Sequence, residues 1–408
     1  MRKNLFLFLW MGTTAIAAER PNILLITVPN LGRDWVSCYG ASQDTPHIDR
    51  LASQGVRYET AWITPAAIPS RVTLLTGRYP CHHGWTDSPD PSLPSRGLRP
   101  DAHFSFVQQL RDSGYATAIG GTWGLGAAAS LREHGFDEHC IWPQDGAGFW
   151  QGEVVTNGRR TKAAYVPDAI HQFLAAFIQR HQKKPFLAYY PVPLTQKPFS
   201  TTPLNRDHPP TGNSARFAGT VDYVDALVGR LVKVVDDLGV APRTLIVFAG
   251  SSGSELAGTL HGKPYLRGRG SPADPGAHVP FIVRAPFLTR STGACLDLVD
   301  FTDLCPTLLE LAQLAPPASA RLDGKSFIPS LRGSEDPFQK RSWIFSQLGS
   351  TRMIRDWHHV LDSGGGFHDL RKDPLQQAEV SPLDKIAPGR RQRLEMILKR
   401  FPPDAVEP

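Results

Sequence analysis

The sequence predicts an α/β fold, a mostly parallel central sheet covered by helices, followed by a small antiparallel sheet and a last helix. Three observations carry this expectation. Short apolar runs such as N-I-L-L-I-T-V at residues 22–28 read as strands buried on both faces. Amphipathic helical stretches alternate with those runs, as crossover connections require. From about Leu322 the segments shorten and turn residues separate them, including Gly364-Gly365-Gly366.

The chain has 408 residues, enough for a sizeable core, and its 41% hydrophobic and 20% charged content excludes a disordered or fibrous protein. Residues 1–18 read as a signal peptide: Arg2 and Lys3, an apolar run from Leu5 to Met11, then small residues to Ala15-Ile16-Ala17. Export to the periplasm or the exterior is the expectation. No later run reaches the ~18 apolar residues that a membrane span needs.

Each element then follows from its residues. Residues 45–54 predict a helix with Pro46 in its first turn, closed by Gly55. Residues 56–63 are a strand of β-branched and aromatic residues. A Pro-rich turn leads to a short helix entered at Pro69-Ser70 and closed by Gly77, with Ser70 placed to satisfy free N–H groups. Helix then strand recurs at 104–113 and 115–119, and again at 169–181 and 185–190. Residues 215–238 form a long helix with Val221, Val224, Leu227, Leu231, Val234 and Leu238 on one face. Strands at 244–248 and 279–283 and a helix at 301–314 complete the main domain, expected to span 19–321. Residues 322–408 are expected to form a small subdomain, with strands near 342–346, 352–355 and 358–361 and a basic helix near 390–401.

The net charge of +6 suits acidic partners such as sulfated polysaccharide, and nothing in it points to nucleic acid. Five cysteines leave at least one unpaired. Cys295 and Cys305 are near enough in sequence to bridge, Cys38 and Cys81 read as small buried thiols, and none has metal-ligand spacing.

The stretch from Ala61 to Gly84 (A-W-I-T-P-A-A-I-P-S-R-V-T-L-L-T-G-R-Y-P-C-H-H-G) resembles the signature of the formylglycine-dependent sulfatases. Pro69, Ser70, Arg71, Leu75, Thr76, Gly77 and Arg78 fit that signature without a gap. Four further stretches resemble the family in the right order: R-P-N-I-L-L-I-T-V, T-P-H-I-D-R-L-A-S-Q-G-V-R-Y, V-D-A-L-V-G-R-L-V-K-V-V-D-D-L-G and F-H-D-L-R-K-D-P. The resemblance implies an alkaline-phosphatase-like α/β/α sandwich with a small C-terminal subdomain, hydrolysis of sulfate esters, and a calcium ion in the site.

Position by position, the same resemblance implies that the chemistry has been lost. The nucleophile position, Cys or Ser in the family, is Ala67. A looser match at Ser92-Leu93-Pro94-Ser95-Arg96 lacks the helix that should follow and reads as coincidence. The metal-ligand positions are Pro29, Asn30, Ser251 and Ser252, with no carboxylate among them, so no metal is expected. The basic positions that grip sulfate are Thr122, Gly124 and Leu194. Arg71 and Arg269 survive there. A protein without sulfatase activity that binds a sulfated or acidic glycan through Arg71, Arg269, His261 and Lys263 is the first expectation. The competing expectation is a sulfate- or phosphate-ester hydrolase with a rearranged site, for which His82, His83, His261, Lys263, Glu255 and His278 are the candidates.

Overall fold

The apolar run near the start lies at the middle of a ten-stranded sheet. Asn22–Val28 is buried at every position and pairs in parallel with Phe186–Pro191 on one side and Thr244–Gly250 on the other. Its side chains alternate between two apolar layers. Ile23 and Leu25 join one core, and Leu24, Ile26 and Val28 join the core on the opposite face. That is why the run is continuously apolar rather than alternating. The structure is a computed structural model, and it describes residues 20–88, 97–143, 148–373, 376, 380 and 387–403. The expected signal peptide and Ser92–Arg96 lie outside the described residues.

From one edge to the other, the strands run Gly293–Asp300, Val56–Trp62, Phe281–Arg284, Thr244–Gly250, Asn22–Val28, Phe186–Pro191, Ala116–Gly121, Glu138–Ile141, Glu153–Thr156 and Arg159–Lys162. The inner pairs are parallel, as the helix-then-strand alternation predicts. Phe281–Arg284 is antiparallel to both neighbours, and the last two strands at the far edge form an antiparallel hairpin. The long helix Asn213–Asp237 buries Val221, Val224, Leu227 and Leu231 against one face. The helices Ala67–Thr76 and Leu304–Leu311 pack on the other.

A four-stranded antiparallel sheet follows, made of Ile344–Leu348, Thr351–Arg355, His359–Asp362 and Phe367–Asp369. The helix Ala387–Leu398 lays Leu394 and Leu398 on Phe345, Ile354 and Phe367, and Tyr79 and Cys81 from the main domain enter the same cluster. Among the described residues no helix is long and apolar enough to cross a membrane.

Three expectations need correction. The signature helix starts at Ala67, two residues before Pro69, so Ala67 is its first residue rather than part of the preceding loop. Residues 301–314 are not one helix. Asp300 caps a 3-10 turn at Phe301–Asp303, and the α-helix runs only from Leu304 to Leu311. Cys295 and Cys305 do not bridge: all five cysteines are free. Cys295 Sγ lies 3.4 Å from the Ser330 hydroxyl. Cys305 packs instead on Gly77, where a Cβ would come within 2.8 Å of it.

Candidate functional site

The helix Ala67–Thr76 follows the strand Val56–Trp62, and the free N–H groups at a helix N-terminus favour an anion. Gly77 ends it in the left-handed region at φ 68°, which a residue without Cβ reaches freely. No side chain caps its start. The Ser70 hydroxyl donates back to the Thr64 carbonyl instead of serving the helix N–H groups.

Arg71 is only 5% exposed. Its Nη1 donates to the Trp123 carbonyl and its Nη2 to the Thr122 hydroxyl at 3.0 Å. Arg71 therefore ties the signature helix to the loop after the strand Ala116–Gly121. Two of the three positions where the resemblance implies a basic residue meet this same helix. Thr122 accepts the Arg71 bond, and Gly124 sits at φ +69°, where a Cβ would lie 2.3 Å from Ile68 Cδ1. The third, Leu194, is fully buried in the apolar layer.

Of the four positions expected as metal ligands, Asn30 and Ser252 hold each other, while Ser251 and Pro29 bond neighbouring groups. The Ser252 hydroxyl accepts from the Asn30 backbone N–H at 2.8 Å and donates to Asn30 Oδ1 at 3.1 Å. Asn30 Nδ2 donates to the Thr195 carbonyl at 3.1 Å. Ser251 donates its backbone N–H to the Val28 carbonyl at 2.8 Å, and Pro29 offers only its carbonyl, which accepts from the Thr195 hydroxyl. A calcium ion prefers several carboxylate oxygens, so this set of amide, hydroxyl and carbonyl groups does not fit it. Among the described residues no three His, Cys, Asp or Glu side chains gather as a metal shell.

Asp34 lies just beyond, 2% exposed, with Oδ1 accepting from the Ser254 hydroxyl at 2.6 Å. Burial pushes its carboxyl up to about 7, and the Ser254 bond offsets only part of that. With the folded value above the unfolded one, the proton is held more tightly by the folded chain. Stability is therefore full below about pH 4 and falls as pH rises through about 7, by roughly 1.4 kcal/mol per pH unit inside that window. Urea midpoints measured from pH 4 to 8 should show this fall, and Asp34→Asn should flatten it. An unchanged slope in the variant would assign the dependence elsewhere.

Beside Asn30 stands a charge cluster centred on Glu255. Glu255 is buried, and its backbone N–H donates to the Asn30 carbonyl at 3.3 Å. Lys197 Nζ lies 2.9 Å and Arg267 Nη2 3.6 Å from Oε1, while Arg269 Nη1 lies 2.6 Å from Oε2. Burial alone would raise the Glu255 carboxyl, but Lys197 and Arg269 outweigh it and hold the group below its ordinary value. The three cations are about half exposed and the carboxylate 1% exposed, so two positive charges stand in excess at the surface.

The other candidates are held elsewhere. His261 and Lys263 are exposed on the small hairpin Thr259–Leu260 and Lys263–Pro264, with His261 at its tip donating its N–H to the Gly40 carbonyl at 2.7 Å. His82 pairs with Asp323 at 2.8 Å, which pushes its imidazole up to about 10. His83 is buried between the Thr73 hydroxyl and the Trp85 N–H. His278 is buried between Asp274, at 2.8 Å, and the Glu59 carbonyl, at 2.6 Å. Lys197 and Arg267 escaped the sequence reading. The spacing Arg267-Gly268-Arg269 is a local signal, but Lys197 is 58 residues before Glu255 and only the fold brings it there.

The sequence profile described as Sulfatase matches residues 21–314. Human N-acetylgalactosamine-6-sulfatase is 28% identical over 357 residues, covering 79% of this chain and 67% of that protein. Bovine (Bos taurus) arylsulfatase A is 30% identical over 432 residues, covering 93% of this chain and 83% of its own. Among solved structures, Ps i-CgsB, also solved in complex with k-i-k-neocarrahexaose, superposes with a TM-score of 0.83 at 22% identity, covering 96% of this chain and 94% of that one. A second, solved in complex with its substrate D-glucosamine-2-N,6-O-disulfate, gives 0.78 at 18% identity and covers 94% and 98% of the two chains. With a profile matched over most of its length and the α/β sandwich that profile's relatives share, this chain belongs to the sulfatase family.

Proposed function

We propose that this sulfatase-family chain is exported and binds a sulfated or otherwise acidic glycan without cleaving it and without calcium. The observation that carries the reading is the Glu255 cluster. Lys197, Arg267 and Arg269 are drawn to one buried carboxylate that can neutralise only one of them, so an anionic group at the surface would satisfy the remainder. The cluster adjoins Asn30, where the family places its metal and sulfate. Arg71 takes a positioning part, because its Nη1 and Nη2 donors are spent on Trp123 and Thr122. Sulfated sugars as ligands of two structural neighbours support the same class of ligand here.

Titration calorimetry with a carrageenan hexaose tests this. Binding should persist in EDTA and weaken with added salt, since the attraction is between exposed charges. Lys197→Ala and Arg269→Ala should each weaken it by about tenfold, the scale of one charge-assisted hydrogen bond. Binding that requires calcium, or that ignores both substitutions, would overturn the reading.

A further inference from the structure

The hairpin at the far edge of the sheet turns on Asn157 and Gly158, between the strands Glu153–Thr156 and Arg159–Lys162. Both turn residues have positive φ, 49° and 83°, as a two-residue connection with the twist of its strands requires. Both are exposed to water. The turn leans on the neighbouring strand Glu138–Ile141, where His139 meets it through backbone and ring. The Asn157 N–H donates to the His139 carbonyl at 2.9 Å, and the His139 N–H donates to Asn157 Oδ1 at 2.7 Å. The Gly158 N–H donates to His139 Nε2 at 3.2 Å.

These bonds fix where the protons are. A backbone N–H can only donate, so the Asn157 atom facing His139 is the amide oxygen, and His139 Nε2 is the ring nitrogen without a proton. Burial lowers the His139 imidazole, which favours that neutral ring at neutral pH. The same contacts are those that an attack of the Gly158 nitrogen on the Asn157 side-chain carbonyl carbon would use. Glycine puts no Cβ beside the attacking nitrogen. The Nε2 lone pair is within hydrogen-bond reach of the proton that this nitrogen must lose. The His139 N–H already holds the oxygen on which negative charge would develop. In that step the N–Cγ bond forms and closes a cyclic imide, while the proton passes to His139 and on to the departing amide nitrogen. The Cγ–Nδ2 bond breaks, ammonia leaves and His139 is neutral again. Water then opens the imide at either carbonyl.

We infer that Asn157 is a self-modification site, converted through a cyclic imide to aspartate or isoaspartate with His139 as the general base. The product sets a new carboxylate beside Arg159 and Arg160 on the exposed hairpin. The test incubates the full chain for weeks at neutral pH. Peptide mapping then follows the fragment that holds residue 157, by the mass gained as an amide becomes an acid and by separation of the aspartyl and isoaspartyl forms. Wild type should convert. His139→Ala and His139→Gln should each convert about tenfold more slowly, with solvent base left to perform the same proton removal. The glutamine keeps an acceptor for the Gly158 N–H but cannot take its proton, so it separates a base from a brace. If residue 157 stays asparagine in wild type, the site is wrong. If either variant converts as fast as wild type or faster, His139 only braces the turn and the inference falls.

Discussion

Incubated with aryl sulfates or sulfated oligosaccharides, the purified chain is expected to release sulfate at the rate of the buffer alone, with or without calcium, and Ala67→Cys is expected to leave that rate unchanged. Removing the nucleophile from a site whose parts act as a unit costs on the order of 10⁶ in rate. What usually survives such a loss is electrostatic stabilisation by metal and fixed donors. Here Asn30 and Ser252 are bonded to each other, and Ser251 gives its backbone N–H to the Val28 carbonyl. The acid and base positions are a threonine bonded to Arg71, a glycine and a buried leucine. Reinstating a histidine at Gly124 would need its φ of +69°, which a residue with a Cβ rarely adopts, and would push the Ile68 Cδ1 methyl aside. A cysteine at position 67, even oxidised to the family's aldehyde, would meet no anion cage. The measurement is sulfate release over days by ion chromatography. Turnover that disappears in Arg71→Ala or His261→Ala would end the pseudoenzyme reading and restore the rearranged hydrolase.

The fold was legible because buried parallel strands and amphipathic crossover helices leave periodicities that a single sequence displays. Residues 22–28 are apolar throughout because both sheet faces are covered, and residues 221–231 step by three and four because only one helix face is. The helix start at Ala67 was hidden by Pro69, which marks an early helical position without fixing which one. The departures from the family signature at Ala67, Asn30, Ser251 and Ser252 were equally plain, since an absent thiol or carboxylate is visible in one letter. What the site became was not. Arg71 and Arg269 look alike as surviving cations, yet one is 5% exposed and spent on a loop carbonyl while the other is half exposed on Glu255. Lys197 and Glu255 lie on segments that follow the two strands flanking Asn22–Val28, and their meeting depends on those parallel strands running the same way on either side of it. Pairings of this kind leave no local pattern.

Arg341→Ala is expected to destabilise the chain by about 3–5 kcal/mol, because it breaks a buried ion pair from one side only. Arg341 enters the main domain from the chain just before the first strand of the C-terminal sheet. Its side chain is 6% exposed. Nε donates to both oxygens of Asp303 at 2.8 and 2.7 Å, and Nη2 reaches Asp303 at 2.5 Å, the Thr302 hydroxyl at 2.8 Å and the Asp323 carbonyl at 3.2 Å. Asp300 lies 3.5 Å away, itself accepting from the Tyr79 hydroxyl at 2.6 Å. Two carboxylates thus share one guanidinium at the seam between the signature segment and the C-terminal sheet. Removing the arginine leaves both buried and facing each other, whereas Asp303→Asn in the Arg341→Ala background removes one of the stranded charges and should recover part of the loss. A lysine at 341 should recover little, since an ammonium cannot reproduce the fork that spans Asp303 and Thr302. Denaturant melts of the three variants decide it. The seam also carries the Ser346 hydroxyl bond to the Ile63 carbonyl at 2.8 Å and the Tyr79–Phe345 ring contact at 4.9 Å. Loosening it would therefore shift the strand that leads into Ala67. If Arg341→Ala melts like wild type, the C-terminal sheet is held by its apolar cluster alone, and the buried charges at the seam are ornamental to stability.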